Sequence, residues 1–227
     1  MKKPSLKACA ATVAALLLGG IAAAGVQTAA AARAGDSSNN DARAMLLDAL
    51  QNDPGVPKVE PAGYDATIVV FSDYQCPYCH QIHPRLEALL REDKKLRIVY
   101  RDWPIFGAVS KEAARAAMAS RYQGKHAAFN DALLNTKGRL TSEGIRQAAV
   151  SAGVDWNRLQ ADLVKHGAEI DGAIARTGHY AGLIGLSGTP ALIVDSYLLP
   201  GAVSVETLRE AVQHARKNQA ARAAEQI

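Results

Sequence analysis

Two cysteines separated by two residues, Cys76 and Cys79, are the side chains best suited to do chemistry in this chain. They stand in the stretch Thr67-Ile68-Val69-Val70-Phe71-Ser72-Asp73-Tyr74-Gln75-Cys76-Pro77-Tyr78-Cys79-His80. It reads as a continuous β-branched run, a polar break, and then Cys-Pro-Tyr-Cys. The run has the composition of a strand buried on both faces. Pro77 suits a first helical position, where a missing N–H removes no hydrogen bond. A strand that delivers Cys-x-x-Cys to a helix N-terminus is a setting in which a thiol becomes reactive. A free cysteine titrates near about 8.5, and a helix start with its N–H groups and dipole lowers that to roughly 3.5–7.5. Cys76 would receive those N–H groups, whereas Cys79, one turn inside, would be shielded and more thiol-like. The chemistry these residues imply is thiol–disulfide exchange outside the cytoplasm. Pro77 and Tyr78 would tune it, and His80 is close enough in sequence to add charge below neutrality.

Other chemistries fit the same residues less well. Cys76-Pro-Tyr-Cys79-His80 satisfies the Cys-x-x-Cys-His pattern of c-type haem attachment. Only Met45 and Met118 could then supply a thioether beyond the leader, and the remaining motifs would have no purpose. Cys76, Cys79 and His83 could be imagined around zinc, but a structural site wants four ligands and no second pair is present. No metal and no cofactor is therefore expected. The alternative that stays open is a periplasmic Cu(I)-binding chaperone using the two thiols, since reduced cysteine pairs suit a soft cation. His126, His166, His179 and His214 are scattered singly and read as surface or satisfied residues. Trp103 and Trp156 read as core.

The rest of the chain must hold that pair. Residues 1–34 begin Met1-Lys2-Lys3, continue as an Ala/Leu-rich apolar stretch and end Ala32-Arg33-Ala34, the pattern of a cleaved secretory signal peptide. Cys9 would leave with it, so the exported chain would keep only Cys76 and Cys79, with no disulfide framework. Subtracting Lys2, Lys3, Lys7 and Arg33 leaves 22 basic against 22 acidic side chains, and no nucleic-acid footprint survives. Residues 35–62 form an N-terminal extension. Its short helix, capped by Asn40 or Asp41, places Ala42, Met45, Leu46, Ala49 and Leu50 on one face, either packed on the domain or joined to a second copy. Residues 63–216 read as one α/β domain: strand and helix around Cys76, a second strand at Leu96–Arg101, a helical block over about 104–187, strands at Ala191–Val194 and Tyr197–Leu199 joined by Asp195-Ser196, and a last helix capped by Ser204. Within the block, Ser110, Thr141 and Asp155 read as helix caps. The tail 217–227 is expected to fray.

In its motifs this order resembles the DsbA-like family, a thioredoxin-like fold with an inserted helical domain. The resemblance rests on Phe71-Ser72-Asp73-Tyr74-Gln75-Cys76-Pro77-Tyr78-Cys79, Trp103-Pro104-Ile105-Phe106-Gly107 and Gly188-Thr189-Pro190-Ala191. Members of the suppressor-of-copper-sensitivity type look most similar, and the active-site wording also resembles the DsbC and DsbG isomerases. The resemblance implies Cys76 as nucleophile and Cys79 as resolving cysteine of a redox-active disulfide. It also implies a cis bond before Pro190, with the backbone of Thr189 facing the cysteines to bind substrate. The partners it implies are unfolded or misoxidised exported proteins and a membrane redox protein that recycles the pair. Tyr78 and Thr189 lean toward isomerase or reductase over oxidase, and an isomerase would use the N-terminal helix as an oligomer contact. One departure stands out. Many relatives carry a buried acid near the end of the first strand to assist the resolving thiol, and here that position is Val70.

Overall fold

The structure is a computed structural model that describes residues 40–224. Residues 1–34, read above as a signal peptide, residues 35–39 and the last three residues lie outside the described part. The chain divides into two units, residues 1–46 and 47–227. Of the first, only residues 40–46 are described, and they are helical. The architecture below is that of the second.

Helix α1 (residues 40–52) is followed by β1 (Lys58–Val59), β2 (Ala66–Ser72), α2 (Pro77–Glu92) and β3 (Leu96–Asp102). A helical block comes next: α3 (Ala108–Ala119), a 3-10 turn (Ser120–Gln123), α4 (His126–Leu134), α5 (Ser142–Ser151) and α6 (Trp156–Ile184). The chain then returns to β4 (Ala191–Val194), β5 (Tyr197–Pro200) and α7 (Val205–Ala224). The strands form one sheet in the order β1-β3-β2-β4-β5, with β2 parallel to β3 and the remaining pairs antiparallel. This is the expected α/β thioredoxin-like fold with a helical insertion.

Every residue of β2 is buried, which explains its unbroken apolar run. Strand alternation sends Ala66, Ile68 and Val70, with Leu96, Ile98 and Tyr100, toward Ile82, Leu86 and Leu89 of α2 and Leu208 and Val212 of α7. The other face of β3 carries two arginines. Arg101 is fully buried, donating from Nη2 to the carbonyls of Ala49 (2.6 Å) and Leu50 (2.8 Å) and from Nη1 to Asp53 (3.0 Å). Arg97 donates to the Gln51 carbonyl at 2.6 Å. Together they satisfy the carbonyls that the end of α1 leaves unpaired and place positive charge at the negative end of its dipole. Leu50, one of the apolar positions expected to pack, is fully buried beside them.

Two local expectations change, and one element is added. Thr141 and Asp155 do cap α5 and α6, accepting from Gly144 N and Arg158 N at 3.0 Å each, and Ser204 accepts from Thr207 N at 3.2 Å. Ser110, however, lies inside the first turn of α3 and turns its hydroxyl to Asp73 at 2.7 Å. Helix α7 also runs on to Ala224 through the segment expected to fray. The cause is Asp195 in the β4–β5 turn, which accepts from Asn218 (3.3 Å) and Arg222 (3.2 Å) and so ties that segment down. Lastly, β1 adds a two-residue edge strand too short to have a sequence signature.

Candidate active site

Cys76 is the N-cap of α2, Pro77 occupies the first helical position, and Cys79 and His80 donate their backbone N–H groups to the Cys76 carbonyl at 3.0 and 3.2 Å. Both cysteines are free thiols and both are buried. The hydrogen bond from the Cys79 thiol, helped by Thr189 and by the backbone N–H groups of Cys79 and Tyr78, draws Cys76 down to about 5 against the opposing effect of burial. Cys79 moves strongly the other way, because it donates to Cys76 and is itself buried. The asymmetry read from the helix position is therefore present in the structure. His80 is not among the groups that lower Cys76. Its Nε2 sits 2.8 Å from the Tyr74 carbonyl, which can only accept, so that nitrogen carries a hydrogen and the ring is tied to the turn.

Sheet register brings the second half of the site into place. Phe71 pairs with Ala191 across the antiparallel β2–β4 ladder, so the two residues before Ala191 lie just beyond the end of β2, where the cysteines are delivered. Those residues are Thr189 and Pro190, joined by a cis peptide bond. The Cys76 thiol donates to the Thr189 carbonyl at 3.1 Å. The Thr189 hydroxyl is buried without another partner and helps lower Cys76. The sequence reading had assigned only the backbone of this residue.

Asp73 is the functional residue that the reading missed. It is 1% exposed, and both its oxygens are occupied. Oδ1 accepts from Gln75 N and Ser110 Oγ at 2.7 Å each, while Oδ2 accepts from Ile105 N at 2.7 Å and Phe106 N at 3.0 Å. Gln75 completes the clamp by donating to the Phe106 carbonyl at 3.2 Å. The β2–α2 turn and the Trp103–Gly107 loop are thus locked together next to Cys76. Ile105, Phe106 and Tyr78 remain exposed around it, at 42%, 51% and 59%. The signal was present as an Asp two residues before a backbone donor, an Asx turn, but its long-range partners have no sequence signature. His83, considered above as a zinc ligand, instead contacts Asp131 at 2.8 Å.

Residues 67–213 match the family described as DSBA-like thioredoxin domain, and the chain belongs to that family of thiol–disulfide oxidoreductases. A thioredoxin-like oxidoreductase from Silicibacter pomeroyi is 40% identical and superposes with a TM-score of 0.71, covering 75% of this chain and 97% of that one. A periplasmic thioredoxin-like protein from Salmonella enterica serovar Typhimurium is 29% identical, with a TM-score of 0.66 over 76% of this chain and 97% of the other. A curated relative, the Na(+)/H(+) antiporter NhaA 3 of Salinispora tropica, is 31% identical over 158 residues, which are 68% of this chain and 24% of that protein. The chain thus spans about a quarter of the length of the curated relatives it matches.

Proposed function

We propose that the protein exchanges disulfides with exported proteins through Cys76 and Cys79, with isomerase or reductase activity favoured over net oxidation. The observation that carries the exchange chemistry is the pairing of a low-pKa Cys76, facing the Thr189 carbonyl at 3.1 Å, with a protonated Cys79 beneath it, while the direction rests on the wording at Tyr78 and Thr189. At neutral pH a Cys76 that titrates near about 5 is a thiolate, the form that attacks a disulfide. Its sulfur bonds to one substrate sulfur as the substrate disulfide breaks and the other sulfur leaves as a thiolate. Cys79 then loses its proton and attacks Cys76. The substrate is released reduced by two electrons and the pair is left as a disulfide. In isomerisation a second substrate thiolate displaces Cys76 instead, with no net redox change. Tyr78, Ile105 and Phe106 supply an apolar rim for an unfolded chain, with the half-buried backbone of Thr189 beside Cys76.

The signal-like residues 1–34 and the periplasmic relative support export to the periplasm, where a membrane redox protein would recycle the pair. A contact between copies through the N-terminal helix would present two sites to one substrate. Testing that contact by light scattering requires a chain that starts after residue 46. Removing residues 47–53 as well would strip Arg97 and Arg101 of the carbonyls they hold.

The decisive experiment is trapping. Cys79→Ala should accumulate mixed disulfides with exported proteins and Cys76→Ala almost none; equal trapping by both removes the assignment. A glutathione titration then sets the direction. A potential near about −120 mV would reassign the protein to net oxidation, and one toward about −270 mV supports repair.

A further inference from the structure

Helix α3 begins at the edge of the active site. Its Ser110 hydroxyl accepts from Gln75 Nε2 at 3.0 Å and donates to Asp73 at 2.7 Å, so the first turn is bonded to the residue preceding Cys76. Ser110 points inward and is fully buried, whereas Ala108, Lys111 and Glu112 around it are exposed. Alongside this face runs a groove of about 400 Å³, lined by Ala108, Lys111, Glu112 and Arg115 of α3 and Leu163 of α6. Their spacing along α3 puts the four α3 positions on one side of the helix. The groove starts next to the apolar rim of the site. Phe106, 51% exposed, precedes Ala108 by two residues, and Gly107 between them has a φ of 101° and open space where a side chain would stand. A chain lying across Phe106 therefore passes to Ala108 without meeting a side chain at Gly107.

Two of the three charged side chains in the groove are already engaged. Glu112 accepts from Ser142 Oγ at 2.7 Å, which holds its carboxylate toward α5, and Arg115 pairs with Asp171 of α6 at 3.3 Å. The Lys111 ammonium has no partner among the described residues. Ala108, the Lys111 stem and the half-buried Leu163 give the groove an apolar floor beneath that free cation. The buried side of α3 is a separate one, made by Ala113, Ala114, Ala116 and Ala117, so the groove face is not needed to hold the helix in place. From Ala108 to Arg115 the helix rises about 10 Å, the length of about three extended residues.

We propose that this groove is a substrate subsite, taking about three residues of an unfolded exported protein that flank its reacting cysteine and preferring an apolar side chain beside a carboxylate. It rests on the exchange chemistry proposed above and adds a sequence preference to it. Cys76 reacts at the sulfur, Tyr78 and Phe106 carry the adjoining residues, and the groove reads those beyond. The apolar side chain lies on Leu163 and Ala108 while the carboxylate pairs with Lys111. That pair is a rim contact, so it acts on association and weakens as salt is raised.

The test uses short synthetic peptides whose single central cysteine is joined to 5-thio-2-nitrobenzoate. When the Cys76 thiolate bonds to the peptide sulfur, the peptide S–S bond breaks and the coloured thiolate leaves, so each attack is counted. One peptide carries only Gly and Ser around the cysteine. The others place Leu-Glu or Leu-Lys a few residues before or after it. With the reduced wild type, Leu-Glu on one side should raise the second-order rate about 10-fold over Gly-Ser. It should exceed Leu-Lys about 3-fold at low salt, and that advantage should vanish near about 1 M salt. Lys111→Glu should invert the charge preference, and Leu163→Asn should remove most of the gain from Leu. Equal rates for all peptides overturn the proposal, as does a charge preference that survives Lys111→Glu or a gain from Leu that survives Leu163→Asn. No coloured thiolate from any peptide would instead overturn the exchange reading itself.

Discussion

Asp73 and Asp102 sit at the ends of neighbouring parallel strands, and burial treats them alike, at 1% and 3% exposure. Their surroundings differ completely. Asp73 receives hydrogen bonds on both oxygens from the turn before Cys76, the Trp103–Gly107 loop and α3. Asp102 receives none and has a neutral tyrosine, an asparagine and a neutral histidine for company. A carboxylate met by several donors from separate segments becomes a mechanical joint. One left without donors in a buried setting is pushed toward the neutral acid and becomes a place to keep a proton. Two residues of one type, one strand apart, are thereby divided into scaffold and titrating group.

The largest effect that could break this comparison is at the joint. Asp73→Ala leaves the N–H groups of Gln75, Ile105 and Phe106 without their acceptor and the Ser110 hydroxyl unpaired. It should destabilise the fold by about 3–5 kcal/mol, read as a lower urea midpoint at constant slope. Asp73→Asn, which keeps one acceptor oxygen but turns an NH₂ group toward other donors, should fall between. A loss below about 1 kcal/mol in the alanine variant would mean the clamp is replaceable by solvent, and the contrast with Asp102 would collapse.

Asp102→Asn should do the opposite, with a sign set by linkage. The folded pKa of about 7 lies above the unfolded value near about 3.9. The neutral acid therefore favours the fold fully below about pH 4, and that contribution is lost as pH rises through 7. Asparagine cannot ionise, so the variant should gain on the wild type between pH 5 and pH 8, by on the order of 2–4 kcal/mol. His126 has the reverse sign. Its folded pKa near about 3 lies below the unfolded value, so its contribution is present above about 6.5 and fades as pH falls toward 3. Matched denaturant curves at the two pH values measure the Asp102 difference directly, because His126 is common to both proteins. A difference that does not change with pH would show that Asp102 is ionised throughout.

What the sequence made legible follows from the same division. Cys76, Pro77 and Cys79 act through local geometry, a strand feeding a helix N-terminus, and local geometry leaves a pattern in adjacent residues. Thr189-Pro190 could be assigned only through a family resemblance, since its partner is Cys76, 113 positions away. Asp73 and Asp102 were both in plain view, and neither was understood. The bonds of Asp73 reach Ile105, Phe106 and Ser110, and the isolation of Asp102 depends on which side chains α4 brings over the sheet. Val70 had raised the question of a missing acid along its own strand. The register of β2 on β3 places a buried acid, Asp102, on the next strand beside Ser72. Likewise, Arg97 and Arg101 bond to carbonyls at the end of α1, partners 46 to 52 positions away that leave no pattern in adjacent residues.

The smallest expected effect concerns Thr189, whose hydroxyl is also buried without a partner. Its carbonyl accepts from the Cys76 thiol at 3.1 Å, an interaction that favours the protonated sulfur and turns repulsive once the proton leaves. The lowering of Cys76 that comes from this residue must therefore come from its hydroxyl, which can donate to the thiolate. Thr189→Val keeps the shape and backbone of the loop and removes only that donor. The Cys76 pKa, followed by thiolate absorbance, should rise from about 5 by less than about one unit, because Cys79 and two backbone N–H groups still serve the sulfur. Stability should change by no more than about 1 kcal/mol, since a neutral hydroxyl without a partner contributes little to the fold. An unchanged Cys76 titration would assign the thiolate wholly to the helix N-terminus and Cys79, leaving the Thr189 backbone as that residue's only contribution to the site.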